Sequence, residues 1–198
     1  MATASTAPAT LDDLAREPGK AELIAGRIVR FMPTGFIPSQ IAANIYDSLK
    51  LYARRNRRGA AVTDNMAFVV PPLPSGRRTF SPDAAYYIGP WPKNPMRFLD
   101  GAPRFAAEVR SEGDRGPASL AEMASKRADY FAVGTLVVWD VDQVTETITV
   151  HRAEGPDQPV IYRRGDMAEA EPAVPKWRIA VDDVFLLMTP EELEGTAT

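Results

Sequence analysis

Phe80-Ser81-Pro82-Asp83-Ala84-Ala85-Tyr86-Tyr87-Ile88 and Phe105-Ala106-Ala107-Glu108-Val109-Arg110-Ser111 decide how this chain is read. Both are strand-like runs of small, branched and aromatic residues carrying a carboxylate. A helix-like segment with Lys126 follows them. Side chains alternate across a strand, so Glu108 shares a face with Ala106 near the strand's end. An acid there is costly to bury alone. If the Asp83 strand pairs beside it, the two carboxylates converge on one divalent cation, which relieves their repulsion, and the Val109 carbonyl is the expected third protein ligand. Such a cation polarises a phosphodiester oxygen and lowers the pKa of a bound water. These are the ingredients of a metal-dependent phosphodiesterase site.

The base in this set is Lys126. At 100° per residue it falls on the flank of the stripe made by Met123, Tyr130 and Phe131, and so leans toward the sheet. Two readings stay open: a lysine that orients water or stabilises the attacking hydroxide, and a snorkelling surface lysine paired with Glu122 one turn earlier. Arg127 falls near the middle of the apolar stripe, a position that calls for an acid partner or a reach to the site.

Composition narrows the chemistry. The chain has 198 residues, 45% of them hydrophobic, enough for a substantial core. Residues 1–9 are expected to be a disordered tail and 10–198 a single domain. There is no cysteine and one histidine, His151, so thiolate and multi-histidine zinc sites are excluded within one chain. A hard cation held by oxygens, magnesium or manganese, fits instead. The net charge of −3 argues against a protein that coats nucleic acid. Local basic clusters remain, and Arg77 and Arg78, in a turn just before Pro82-Asp83, are candidates for phosphate contact. With no basic leader and no apolar run long enough to span a bilayer, the expectation is a cytoplasmic protein with no membrane partner.

The remaining elements follow from spacing. Thr10 and Asp13 suggest a capped short helix stopped by Pro18-Gly19. Ala21 to Phe31 reads as a tight hairpin around Ala25-Gly26, with Glu22 the odd charge at its start. Ile41, Ile45, Leu49 and Tyr52 form one helical stripe. Met66 to Val70 reads as a strand, and Gly89 to Pro103 as a loop in which Trp91 either shapes access or covers the core. Ser119 and Glu122 predict a capping box for the Lys126 helix, with Gly134 ending it. Thr135 to Trp139, Thr147 to Arg152, Val160 to Tyr162 and Trp177 to Val181 read as strands and Val184 to Leu187 as a helical turn. His151 shares a face with Thr147 and Thr149, which predicts a solvated strand histidine.

Pro82-Asp83, Glu108-Val109-Arg110-Ser111 and Lys126, with the hairpin Glu22-Leu23-Ile24-Ala25-Gly26, resemble the PD-(D/E)XK nuclease superfamily, specifically its Uma-type family of candidate restriction endonucleases. The resemblance spans roughly residues 10 to 187. It implies an α/β (α+β) restriction-endonuclease-like core: a mixed β-sheet flanked by helices, with an N-terminal hairpin and C-terminal antiparallel strands. It also implies a magnesium- or manganese-dependent DNA endonuclease in which Asp83 and Glu108 bind the metal and Glu22 is an auxiliary acid. Arg110 stands where the superfamily usually has lysine and cannot act as a base; it joins Arg77 and Arg78 as a candidate for nucleic-acid contact, and Lys126 takes the lysine's place in space. Cutting two strands needs two sites, which predicts a homodimer. The alternatives are a non-cleaving nucleic-acid-binding or regulatory protein on the same fold, and a small-phosphodiester hydrolase.

Overall fold

The computed structural model describes residues 7–195, so most of the expected tail lies outside the described residues. Within them, the Ala9 N–H donates to the Gly26 carbonyl at 2.8 Å. Helix α1 (Leu11–Leu14) has the expected box: the Thr10 hydroxyl accepts from the Asp13 N–H, and the Asp13 carboxylate accepts from the Thr10 N–H at 2.8 Å. Strands β1 (Ala21–Ile24) and β2 (Arg27–Arg30) form the antiparallel hairpin. Its turn residues Ala25 and Gly26 both have positive φ, 49° and 68°, the twist a two-residue hairpin loop requires. The hairpin tip is anchored where the Ala25 N–H donates to Gly76 at 2.7 Å. A Cβ on Gly76 would lie 2.8 Å from that of Ala25, so this approach needs a glycine.

Helix α2 (Phe36–Asn56) buries Ile41, Ile45, Leu49 and Ala53 on one stripe, and β3 (Ala60–Thr63), β4 (Phe68–Val69), β5 (Thr79–Phe80) and β6 (Ala84–Tyr87) follow. The run from Phe80 to Ile88 is therefore two strands, not one. Its break has a physical cause: Pro82 has no N–H, and the Ser81 N–H is spent on Glu22 at 2.9 Å, so the ladder cannot continue. After β7 (Leu99–Asp100) and β8 (Phe105–Val109) comes α3 (Pro117–Ala132), then β9 (Val137–Asp142), β10 (Thr147–Arg152), β11 (Val160–Tyr162), β12 (Met167–Glu169), β13 (Arg178–Ala180), α4 (Val181–Val184) and α5 (Pro190–Leu193).

The main sheet has six strands in the order β11-β10-β9-β8-β6-β3, with β8 and β9 parallel and the other neighbours antiparallel. β4 lies between β5 and β7 in a second, smaller sheet. One face of the main sheet presents Ala84, Tyr86, Phe105, Ala107, Val109, Val137, Trp139 and Val141 to the α2 stripe and the C-terminal strands. The other face presents Ala106 and Val138 to Tyr130 of α3 and to Phe80. This is an α/β architecture: a mixed sheet between helices, an N-terminal hairpin, and an antiparallel C-terminal pair, β12 and β13. No helix among the described residues is long and apolar enough to cross a membrane.

Some local expectations are corrected. The start of α3 is set by Pro117 behind Gly116, with no side-chain cap, and the Ser119 hydroxyl donates to the Gly113 carbonyl instead of forming a box. The strand expected at Thr135 to Trp139 is shifted to β9, and the turn expected at Val184 to Leu187 is α4. Trp91 is 82% exposed and covers no core. His151 is buried, not solvated, and its Nδ1 has no hydrogen-bond partner.

Two stability predictions follow from this packing. Trp177 stacks on Trp139 at 5.1 Å, meets Phe105 edge-on at 5.5 Å and donates from Nε1 to Ser48 at 3.0 Å. Trp177→Ala is expected to cost about 3–5 kcal/mol in urea unfolding. Desolvation, reinforced by the nearby Arg127 charge, lowers the His151 pKa below its ordinary value. The folded state then favours neutral imidazole, so this contribution is complete above about pH 6.5 and is lost as pH falls through the folded pKa. Between about pH 7.5 and pH 5.5 the native protein should lose more stability than His151→Phe, measured by denaturant midpoints.

Candidate active site

The alternation of the main sheet builds the site. Because Ala84 pairs with Ala107, continuing that register by one residue sets Asp83 opposite Glu108, both on the α3 face. The parallel register then sets Glu108 beside Asp140. A row of acids therefore crosses three strands. At the break before β6, the Asp83 N–H donates to the Ala107 carbonyl at 3.1 Å, and Asp83 Oδ2 accepts the Val109 N–H at 2.7 Å. Val109 thus meets Asp83 through its backbone, and Asp83 Oδ1 is turned toward the hairpin.

Helix α3 supplies the opposing charge. Lys126 and Tyr130, one turn apart, both reach the sheet: Lys126 Nζ lies 2.8 Å from Glu108 Oε1, and the Tyr130 hydroxyl donates to the same oxygen at 2.7 Å. Lys126 Nζ also lies 3.1 Å from Glu22 Oε1. Neither the snorkelling position nor the Glu122 pair is adopted. Lys20, immediately before β1, brings a second ammonium, 2.5 Å from Asp83 Oδ1 and 2.8 Å from Asp64 Oδ1. Phe31, at the far end of the hairpin, lies over both lysines, its ring centre 5.9 Å from Lys20 Nζ and 5.7 Å from Lys126 Nζ.

Glu22 is wholly buried beneath this layer. Besides Lys126 it takes the Ser81 N–H on Oε1 and the Arg77 guanidinium on Oε2. Arg77 continues to Asp129 at 3.0 Å, and Asp129 accepts the Ser75 hydroxyl at 2.9 Å. Arg77 is therefore turned inward, away from any ligand at the surface. Arg110 is also committed, holding Asp140 in a fork at 2.7 and 2.6 Å and reaching Asp142 at 3.3 Å. Arg78 is half-buried; its N–H donates to the Leu23 carbonyl at 2.8 Å and its Nε has no hydrogen-bond partner.

The electrostatics separate the two glutamates. Burial pushes the Glu22 carboxyl up, but Lys126 and Arg77 overcome it and hold the group below its ordinary pKa. At Glu108, burial together with the Asp83 and Glu22 charges outweighs Lys126 and Lys20, and the pKa is raised. Burial disfavours the charged form of both lysines, yet the surrounding carboxylates raise Lys126 and Lys20 above the usual lysine value. Burial and the Glu108 charge push the Tyr130 phenol well up, so it stays a hydrogen-bond donor. Glu22 is thus held as a charge, whereas Glu108 is shifted toward its neutral form.

Asp83, Glu108, Lys126 and Glu22 are thereby brought together, whereas Arg77 and Arg110 face carboxylates. Among the described residues no group of three or more acid or histidine side chains is arranged to hold a metal ion. The Asp83–Glu108 pair of hard oxygens is the one that could hold a cation of the magnesium or manganese type. Lys20, Asp64, Asp129 and the Tyr130 hydroxyl are further members that sequence reasoning missed. Period two puts Lys20 on the Glu22 face, and three- and four-residue steps put Asp129 and Tyr130 beside Lys126, so the signal for three of the four was available.

A buried charge that loses its partner is costly. Arg77→Leu leaves Glu22 Oε2 and Asp129 without their guanidinium and is expected to destabilise the fold by about 3–5 kcal/mol. Arg97→Ala, whose pair with Asp12 is exposed, should leave the urea midpoint nearly unchanged.

Comparison with known proteins bears on the fold and the family. No curated protein matches the chain. A crystal structure described as "a putative nuclease belonging to DUF820" from Anabaena variabilis ATCC 29413 superimposes with a TM-score of 0.67 at 21% identity, covering 90% of this chain and 98% of that one. At that identity the likeness speaks for the fold. The family profile named Uma2, described as "Putative restriction endonuclease", matches residues 8–182. The chain belongs to the Uma2 family.

Proposed function

We propose that this chain is a metal-dependent endonuclease that hydrolyses phosphodiester bonds in DNA. The observation that carries the reading is the placement of Asp83, immediately before β6 and hydrogen-bonded to Ala107 and Val109 of β8, beside Glu108 of that strand, with Lys126 against Glu108. Family membership and the shared fold support a nuclease at the coarser level. Asp83 Oδ1 and Glu108 would hold the cation, with the Val109 carbonyl as a third ligand. A magnesium or manganese ion there supplies Lewis acidity toward the scissile phosphate and a more acidic bound water.

The chain's own groups do the rest. Asp83 is oriented by the Val109 N–H, which fixes Oδ2 and leaves Oδ1 for ligation. Lys126 orients the attacking water and offsets negative charge developing on the phosphate. Glu22 is a positioning residue: fully buried and held ionised, it keeps Lys126 between two carboxylates. Tyr130 fixes Glu108 from α3. Arg78 is the arginine of the expected set that we assign to phosphate contact, because Arg77 and Arg110 are committed to acids. Two such sites in a twofold dimer would cut both strands.

A second reading, a non-cleaving DNA-binding protein on the same fold, is favoured by one observation: both site acids already have an ammonium partner. DNA cleavage separates the two. With manganese or magnesium the native protein should nick supercoiled DNA, and the double variant Asp83→Ala, Glu108→Ala should lose at least about 100-fold in rate. Equal residual cleavage by both proteins removes the catalytic reading, and salt-dependent DNA binding unaffected by metal supports the second.

A further inference from the structure

Resting on the metal-site reading of Asp83 and Glu108, the geometry points to a role for two residues outside that set. We infer that Lys20 is the counter-ion that the site exchanges for its divalent cation, and that Asp64 receives the displaced ammonium.

Asp83 has two oxygens with different fates. Oδ2 is tied to the backbone by the Val109 N–H at 2.7 Å. Oδ1 is the oxygen left to ligate, and Lys20 Nζ sits on it at 2.5 Å. A cation of the magnesium type binds carboxylate oxygen at about 2.1 Å, so sharing Oδ1 with Lys20 would force the two positive centres within about 5 Å of each other. In a site whose side chains are 11% and 15% exposed, water screens that repulsion poorly. Metal entry therefore requires Lys20 to leave.

The place it goes is already built. Asp64 Oδ1 is 2.8 Å from the same Nζ, and its side chain is 37% exposed, so it stands on the solvent side of the pair. The carboxylate of Asp64 would keep the ammonium paired after it leaves Asp83. Lysine suits this role: its charge is a point on a flexible stem with rotatable donors, and a shift from one carboxylate to the next needs no change of backbone. The backbone of Lys20 is meanwhile held by its carbonyl, which accepts the Phe31 N–H at 3.0 Å. Lys126 is held differently, between Glu108 and the fully buried Glu22.

Lys20 is thus a positioning residue that sets metal affinity from outside the ligand set. Manganese binding to the full chain, by titration calorimetry and by the metal-induced rise in Tm, tests this without reference to turnover. The native protein should bind manganese in a manner abolished by Asp83→Asn. Lys20→Met and Lys20→Gln should bind about tenfold tighter and show a larger metal-induced rise in Tm, whereas Asp64→Asn should bind about tenfold more weakly. Binding by the Lys20 variants where the native chain shows none also supports the exchange. If binding depends on Asp83 but is equal or weaker in both Lys20 variants, the exchange is wrong and the metal site stands. If neither the native chain nor any Lys20 variant binds manganese through Asp83, the metal-site reading fails and the exchange fails with it.

Discussion

A carboxylate with no access to solvent, Glu22, is the constraint on which the site depends. Ionised and buried, it must be surrounded by donors. Those donors come from two distant parts of the chain: Arg77 and the Ser81 N–H from either side of β5, and Lys126 from α3. Satisfying one charge therefore docks the hairpin against the sheet, ends the β5 ladder at Ser81, and aims Lys126 at Glu108. Were Glu22 apolar, the hairpin could pack at the same place, but Lys126 would keep only its contact with Glu108 and Arg77 only its contact with Asp129. A buried ion pair of this kind is weak as a source of stability and strong as a specification of geometry, because any displacement leaves an unpaired charge in a low dielectric.

The acid row is a consequence of register. In a sheet with apolar residues packed against both faces, a carboxylate can stand only where the strand ends. Asp83 precedes β6, and Glu108 is the penultimate residue of β8. Parallel pairing of β8 with β9 extends the row to Asp140 and, by alternation, Asp142. The βαβ connection through α3 is what makes that pair parallel, and the same helix returns the lysine over the row. Sheet topology and site chemistry thus have one cause.

Where the sequence was legible, a single periodicity governed the residues. The Ile41, Ile45 and Leu49 stripe, the alternation of Thr147 to Arg152 and the Thr10–Asp13 box each encode their structure within a few residues. Strand β3, built from Ala60, Ala61, Val62 and Thr63, carries too little apolar signal to be seen, and it forms because Thr63 to Ala60 pair along β6. The break at Ser81 depends on a residue 59 positions away, Glu22. His151 looked solvated because its face was judged from Thr147 and Thr149, whereas burial at that end of β10 is set by its neighbours across the sheet. For the candidate site, the acids were legible as strand-borne charges and Lys126 from its helical angle. The commitments of Arg77 and Arg110 were not, since an arginine's partner is fixed by tertiary contacts that no local spacing records.

The position of the lysine follows from the way the row is neutralised. Arg110, two residues beyond Glu108, lies on the same face by alternation and at the side of the strand next to Asp140 and Asp142. Its planar fork fills both oxygens of Asp140, and Asp142 takes a further contact from Arg115 at 3.0 Å. This half of the row is already neutralised: each oxygen of Asp140 and of Asp142 accepts a guanidinium N–H. The half formed by Asp83 and Glu108 is balanced differently, by ammonium groups arriving from the hairpin and from α3, each acting as a point charge on one oxygen. Arginine at position 110 therefore does not take over the work of the usual lysine. It neutralises the neighbouring acids Asp140 and Asp142, and Lys20 and Lys126 balance Asp83 and Glu108, where β6 and β8 meet.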